Sequence, residues 1–461
     1  MTGSRRKGIA VLLVCISLSA WWSVAIRHKA QVKGQIRMVD FAAIYYGARC
    51  VMHGENPYDP AAFLREYEAK RGGQWPGSFE SKTAQSVATV CINLPTSLFL
   101  MVPFALLPWV VAQNLWMVLT AGLLTLAAVL MWELGGSAAP AIWICLAGFM
   151  LLNWELPLVV GNSAGVAVSL CVIAVWCFLR ERYVWVGVLL LGMSLVIKPH
   201  DAGFVWLYFL LAGGVQRKRA LQTLAVAGIL GLCSALWIAP VSPHWFHEVQ
   251  RNIAAVSAPG TVNYPGPSGA SMNSPGPIIA LQAMFSVLWE DPRFYNSASY
   301  LVAGFLILVW ILKVARVRPS LEESRVALAA ISVLTLLPVY HRPDDSGLLL
   351  LMIPACAMLW AGGGPRRWPA LVLTSAAIFF TSDIPIAVLV MWARRLSVSA
   401  STLAGKLTMV LVLRPTPIIL LAAGCFYLWI LLRYNSSAPL KLKAHNTTSR
   451  SPVETTPVSN L

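Results

Sequence analysis

The sequence predicts an all-α polytopic membrane protein, and three observations carry the prediction. Hydrophobic residues make up 57% of the 461-residue chain and charged residues only 12%, where a soluble protein carries about 25% charged residues. Long apolar runs recur from one end to the other, and the mean hydropathy is +0.67. Lysine and arginine outnumber aspartate and glutamate by 35 to 19, and many of them sit in short loops between the apolar runs. A basic surplus so placed follows the positive-inside rule and does not call for nucleic acid as a partner.

The elements follow in chain order. The run from Ile9 to Ile26 comes after Arg5-Arg6-Lys7. It is long for a signal peptide core, and Trp21-Trp22 stand where small residues would mark cleavage, so it reads as a retained first span with a cytoplasmic N-terminus. A spanning helix needs about 20 apolar residues. Further candidates lie near 98–131 (one span plus an oblique or broken helix), 140–158, 163–179, 184–197, 202–215, 220–239, 298–312, 325–340, 346–362, 368–392 and 416–432. Several are short, and Pro103, Pro108 and Pro385 interrupt others, so about 11–13 transmembrane helices are expected. The transmembrane domain is taken as 1–432, with outer loops at 27–97 and 240–297. Residues 433–461, rich in Ser, Thr, Asn and Pro, read as a disordered cytoplasmic tail.

Charge orients these segments. The loops with Arg180-Glu181-Arg182, Arg217-Lys218-Arg219, Lys313 with Arg316 and Arg318, Arg366-Arg367, and the tail with Arg433, Lys441 and Lys443 fall on one side if the segments alternate. That side is the cytoplasm. Arg394-Arg395 break the pattern. The opposite side carries both long loops, Gly161-Asn162-Ser163, Lys198-Pro199-His200-Asp201 and His341-Arg342-Pro343-Asp344-Asp345. Six of the seven histidines (His28, His53, His200, His244, His247 and His341) fall there too. Basic and acidic groups converging at the outer ends of several helices look like a site; the plain alternative is that loops are polar.

Of the nine cysteines, most lie inside apolar runs and none has metal-site spacing. Cys50 and Cys91 share one outer loop. A bridge between them would close roughly 40 residues and add about 3–4 kcal/mol by the chain-entropy estimate; two separate thiols are the alternative. No glycine-rich phosphate loop is present, which argues against an ATP-driven pump.

The stretch "MVDFAAIYYGARCVMHGENPYDP", residues 38–60, is the most informative loop segment. Residues 41–53 suit a short helix, with Gly54 as its stop and Pro57-Tyr58-Asp59-Pro60 as a turn. Asp40 then has two readings. It could cap that helix, or its carboxylate could accept a proton at the membrane surface.

The pattern Asp-Phe-x3-Tyr-Tyr-x-Ala-x5-Gly-x2-Pro-Tyr-Asp, soon after a first apolar helix, resembles glycosyltransferase family 87. "INLPTSLFLMVPFALLPW" (92–109), "GNSAGVAVSL" (161–170), "LLLGMSLVIKPH" (189–200) and "YHRPDDSGLLLLMIP" (340–354) are similar to further family segments, in order. The resemblance covers about residues 9–360, and departs from the family at Asn162, where glutamine is common, and in the loop 240–297. It implies a GT-C-type glycosyltransferase fold and transfer of a sugar, mannose in the best-known members, from a polyprenyl-phosphate donor to a glycan or glycolipid acceptor. The place implied is the outer face of a bacterial inner membrane, with the bilayer itself as a partner.

The chemistry asks for a base to take the acceptor proton, a role the resemblance gives to Asp40. It also asks for cations or donors on the departing phosphate, for which Lys198, His200, His341 and Arg342 qualify by charge, side and helix-end position. Against these stand a snorkelling Lys198, an interfacial His200, and a clasp of His341 and Arg342 with Asp344 or Asp345. Tyr45, Tyr46 and Tyr58 could stack on a sugar, with Asn162 as a further contact; aromatic-belt packing is the rival. His244, Trp245 and His247 suit interfacial anchors. No Asp-x-Asp motif stands in the first loop, so no metal and no cofactor is expected. Two other functions compete: a flippase or transporter of a lipid-linked saccharide, and a non-catalytic subunit of an envelope-glycan assembly complex.

Overall fold

The computed structural model describes residues 3–30, 38–71, 90–136, 138–261, 263–267, 277–316, 319–396, 398 and 401–434. Among them there are helices and turns and no strand. Six helical segments are long and apolar enough to cross a bilayer, and two bent pairs qualify when each pair is taken together. Shorter apolar helices, at Lys7–Trp22, Pro95–Ala105 and Val184–Ile197, stand beside these six to eight candidate spans. The protein is thus an all-helical polytopic membrane protein, its spans a mixture of long and broken helices. Almost all of the expected tail lies outside the described residues.

Prolines set many of the breaks. Helix α1 (Gly3–Ala30) is followed by α2 (Val39–Met52), α3 (Pro60–Arg71) and α4 (Pro95–Ala105). The expected broken segment near 98–131 is two helices, α4 and α5 (Trp109–Gly135), parted at Pro108, the N-cap of α5. Next come α6 (Pro140–Leu152), α7 (Leu156–Val160), α8 (Ser163–Arg180), α9 (Val184–Ile197) and α10 (Pro199–Leu211). Proline at the first helical position is cheap because its missing N–H would have no partner there.

The second half holds α11 (Gly214–Ile238), α12 (Trp245–Val256), α13 (Leu281–Leu288), α14 (Pro292–Arg316) and α15 (Leu321–Thr335). A 3₁₀ segment (Pro343–Leu351) runs into α16 (Met352–Ala361), followed by α17 (Arg367–Phe380) and α18 (Asp383–Leu396). The chain bends by 65° between α17 and α18, and by 64° between the helical stretch 403–413 and α20 (Thr416–Leu432), with α19 (Leu403–Thr408) opening that stretch.

Helix α8 is the hub. All but its last two residues are buried, and it packs on α5, α9, α10 and the 3₁₀ segment. Its 18 residues make a rod of about 27 Å with no charge between Asn162 and Arg180. The Arg180 end gathers basic groups: Arg219 Nη1 donates to Phe178 O at 3.0 Å, Arg325 Nη2 to Leu134 O at 2.7 Å and Lys313 Nζ to Tyr434 O at 2.9 Å. Arg366 and Arg433 both lie over the Trp429 ring, at 5.5 and 4.8 Å. The Asn162 end gathers the carboxylates.

Helix α2 corrects one reading of Asp40. The N-cap is Met38, in a left-handed conformation at φ 55°, and no side chain caps the helix. Asp40 sits inside the first turn. The other end is as expected: Gly54, at φ 77°, gives its N–H to Val51 O, and Glu55 N–H goes to Cys50 O, the paired bonds of a Schellman close. Asn56 Oδ1 accepts from Tyr58 N at 2.9 Å and Asp59 Oδ1 from Ala61 N at 3.1 Å, which forms the turn into α3. Cys50 and Cys91 are both buried and both free thiols, not a bridge. Helix α12 locks the two outer loops together, since Asn252 Nδ2 donates to both Tyr58 O and Cys91 O at 3.0 Å.

Candidate active site

Two junctions of the same form build the site. Lys198-Pro199-His200-Asp201 links α9 to α10, and Arg342-Pro343-Asp344-Asp345 opens the 3₁₀ segment. A residue before proline is driven out of the helical region by the proline ring. Lys198 accordingly has φ −142° and Arg342 has φ −119°. Each junction therefore sets a cation at a break and an acid three residues later, in the first turn beyond it.

The two junctions face each other and pair crosswise. Lys198 Nζ donates to Asp345 Oδ1 at 2.5 Å, and Asp201 Oδ1 lies 3.2 Å from His341 Nε2. The break at Lys198 leaves carbonyls at the end of α9 that Thr96 and Ser97 of α4 take up, at 2.5 and 3.1 Å. Arg342 is steadied by its own N–H to Asp345 Oδ2 at 2.8 Å, by Nη2 to Asn263 Oδ1 at 3.0 Å, and by a bond from Nε to Tyr340 Oη. Trp154 Nε1 donates to Pro343 O at 2.9 Å. A Cβ on Gly347 would come within 2.6 Å of the Trp154 ring, so only glycine fits there.

A third junction brings Asp40. Gly161, at φ 70°, ends α7, and a Cβ there would stand 2.6 Å from Phe41 Cβ. That close approach seats the start of α2 against the start of α8, aided by Met38 N–H to Val159 O at 3.2 Å. Asn162 caps α8 through Oδ1, which accepts from Ala164 N at 2.9 Å. Its amide nitrogen is thereby turned outward, to Asp40 Oδ2 at 2.6 Å and Asp344 Oδ2 at 3.5 Å.

The result is a rim over a floor. Asp40, Asn162, Lys198, His200 and Arg342 are partly exposed, while Asp201, His341, Asp344 and Asp345 are buried. Burial pushes the Asp40 carboxyl above its ordinary value of 3.8, against the opposing pull of Arg342, the Asn162 amide and Lys198. Burial alone would lower Lys198, but Asp345 and Asp201 override it and hold the ammonium form. The arrangement thus offers a carboxylate of raised basicity beside two fixed cations.

Asp40, Asn162, Lys198, His200, His341 and Arg342 come together. Lys198 is ion-paired at the break and does not snorkel. The clasp expected between Arg342 and Asp345 exists through the backbone N–H, with its acid also engaged by Lys198. Tyr45, Tyr46 and Tyr58 are corrected: all three are buried at 2% exposure or less. Tyr45 Oη donates to Leu107 O, Tyr58 Oη to Asn93 O, and the Tyr46 ring stacks on Trp109 at 5.5 Å. Tyr45 and Tyr46 pack α2 against Trp109 at the start of α5, Tyr58 packs within the outer loop beside Asn93, and none turns a free face to a sugar.

Asp201, Asp344 and Asp345 are among the acids expected to converge on this face, Asp344 and Asp345 as clasp partners, with no chemical role assigned to them. The signal available was the parallel between Lys-Pro-x-Asp and Arg-Pro-x-Asp. The absence of an Asp-x-Asp motif from the first loop gives no sign of His200, Asp201 and His341, whose ligand atoms lie within 4.8 Å of one another.

The family model described as Glycosyltransferase family 87 matches residues 92–340, which holds Asn162, Lys198, His200 and Asp201 and stops one residue before His341. No curated protein matches the chain, and no solved structure does. With more than half of its length matched, the chain belongs to glycosyltransferase family 87.

Proposed function

We propose that this membrane glycosyltransferase moves a sugar, mannose in the first instance, from a polyprenyl-phosphate donor to a glycan or glycolipid acceptor. The site faces the outside of a bacterial inner membrane, and the fold is of the GT-C type. The observation that carries the reading is Asp40: a partly exposed carboxylate of raised basicity, aimed by Asn162, with Lys198 and Arg342 close by.

Asp40 takes the acceptor hydroxyl proton as that oxygen bonds to the anomeric carbon. The bond from that carbon to the phosphate oxygen breaks, and its electron pair leaves with the polyprenyl phosphate. Lys198 and Arg342 then meet an anion whose charge grows as the bond breaks, the interaction that lowers a barrier most. Attack opposite the leaving phosphate inverts the anomeric centre.

A cavity of about 410 Å³ between α1 and α5, lined by Val14, Leu18, Trp21, Val118, Leu126 and Val129, supports a lipid-linked donor. Its Val118 end is within a turn of Trp116, which donates to Gly161 O at 3.0 Å beside Asn162. A transporter would need polar groups along a path through the bilayer. Here the carboxylates gather at one end of α8 and the helix itself is uncharged to Arg180.

The test is a membrane-fraction assay with a panel of polyprenyl-phosphate sugars, wild type beside Asp40→Asn at matched levels. Turnover by wild type alone supports the transferase. No turnover with any donor, or equal turnover by both, sinks it.

A further inference from the structure

We propose that His200, Asp201 and His341 bind one divalent transition-metal ion, of the zinc or manganese kind, with an open position toward the rim of the site. The binding claim stands on its own; the role given to the ion below rests on the transferase reading.

Three unsatisfied polar atoms carry the inference. Asp201 is fully buried, yet neither carboxylate oxygen has a hydrogen-bond partner, and neither does Nε2 of the equally buried His341. Buried polar atoms are almost always satisfied, so a cluster of orphans marks a missing partner. These atoms converge: His341 Nε2 is 3.2 Å and His200 Nε2 3.8 Å from Asp201 Oδ1. Bonds of about 2.0–2.2 Å in a tetrahedral site separate neighbouring ligand atoms by about 3.4 Å. The two contacts to Asp201 Oδ1 bracket that spacing, all three ligand atoms lie within 4.8 Å of one another, and neither contact is a well-formed hydrogen bond.

The second nitrogen of His341 agrees. Nδ1 lies 2.9 Å from Val339 O, and a carbonyl can only accept, so Nδ1 carries a proton; in the neutral ring the Nε2 lone pair then points at Asp201. In that neutral form two lone pairs face each other at 3.2 Å, an arrangement that a metal cation bound to both relieves. Holding one nitrogen on a backbone carbonyl to present the other is the usual way a metal-binding histidine is aimed.

Charge agrees as well. Asp40, Asp201, Asp344 and Asp345 meet Lys198 and Arg342, four carboxylates against two cations. Lys198 is already engaged by Asp345 at 2.5 Å and stands 4.0 Å from Asp201. A divalent ion would offset the negative charge that these two cations leave at Asp201. Two imidazoles with one carboxylate favour a first-row transition metal over magnesium or calcium. His200 is 38% exposed, so its side of the site is where further ligands would enter. On the transferase reading, that ligand is a donor phosphate oxygen, and the ion shares with Lys198 and Arg342 the charge that develops on the leaving phosphate.

The rival for the same atoms is a proton, which would make His341 and Asp201 a buried ion pair. Full-length protein in detergent, stripped with a chelator, is dialysed against zinc, manganese or cobalt, and the bound metal is weighed per chain by mass spectrometry. Wild type should take up one ion, and the cobalt form should show the visible absorption of nitrogen–oxygen ligation. His200→Asn, at the exposed edge, and Asp201→Asn should each weaken binding roughly tenfold or more. Absence of saturable uptake by wild type overturns the site, whatever the variants do. Uptake undiminished in a His200→Asn/His341→Gln protein that still elutes as a folded species also overturns it. Metal is measured without substrate, so uptake in a protein lacking transferase turnover supports this site while the functional reading alone fails.

Discussion

Asn162 and Asp40, 122 positions apart in sequence, are joined by a hydrogen bond of 2.6 Å in which the amide nitrogen donates to Oδ2. The same side chain is fixed at its other end, because Oδ1 caps α8 through Ala164 N. A helix cap thus sets the direction of the carboxylate proposed as the base.

Asp40→Asn should cost about 10²–10⁴-fold in kcat with little change in thermal stability. Asp40 is not the cap of α2, so even Asp40→Ala should spare the ~0.5–2 kcal/mol that a lost cap costs. Both variants are compared with wild type for turnover and for melting temperature in detergent. An Asp40→Asn protein as active as wild type ends the catalytic proposal, and a destabilised Asp40→Ala would show instead a structural role for the side chain.

Asn162→Asp separates capping from charge. Asp caps about as well as Asn, so α8 should keep its stability. The new carboxylate stands beside Asp40 and Asp344, which makes a charged Asp40 harder to form. The acid limb of the kcat/KM profile should move to higher pH. An unmoved limb with full turnover would show that Asn162 does not act through Asp40.

The wild-type pH profile follows from the same sign. The active base is the carboxylate, and burial raises its pKa above 3.8. Activity should therefore be lost as pH falls through a value above the ordinary carboxylate range. Arg342 opposes that rise, so Arg342→Gln should shift the limb upward again. A downward shift contradicts the assignment of the limb to Asp40.

Lys198→Met removes the cation from Asp345, whose side chain is 1% exposed at 2.5 Å from Nζ. Stranding a buried charge costs about 3–5 kcal/mol, read as a large fall in melting temperature. Lys198→Arg should recover most of that stability. If Lys198→Met melts with wild type, the ion pair is not holding the two junctions together.

Orientation is tested with single cysteines placed at exposed positions such as Ala61 in the first outer loop and Arg251 on α12. An impermeant thiol reagent should label both on intact cells. Labelling only after lysis would place the whole site on the cytoplasmic side.

The class of the protein was legible in composition alone, because a bilayer admits only long apolar helices or closed barrels and leaves an unmistakable hydropathy pattern. Helix ends were legible wherever proline or glycine decides them locally: Pro108, Pro199 and Pro343 at breaks, Gly54 at a close. The grouping of Asp40, Asn162, Lys198, His200, His341 and Arg342 followed from charge alternation and the family resemblance, since each lies at the same end of its helix. Which of those groups pair was decided only by tertiary structure. Asp40 reads as a cap from its neighbours in sequence, but α2 starts one residue earlier with Met38 as its N-cap, and the Asp40 carboxylate turns to Asn162 at the start of another helix. Tyr45, Tyr46 and Tyr58 look equally able to stack on a sugar or on the core, and the packing of α2 on Trp109 chooses the core. Asp201 and His341 carry no local sign of each other, for they meet only when two proline junctions from opposite halves of the chain are folded face to face. Local rules act within a few residues, whereas the energy of a buried polar group depends on whatever the fold brings to it.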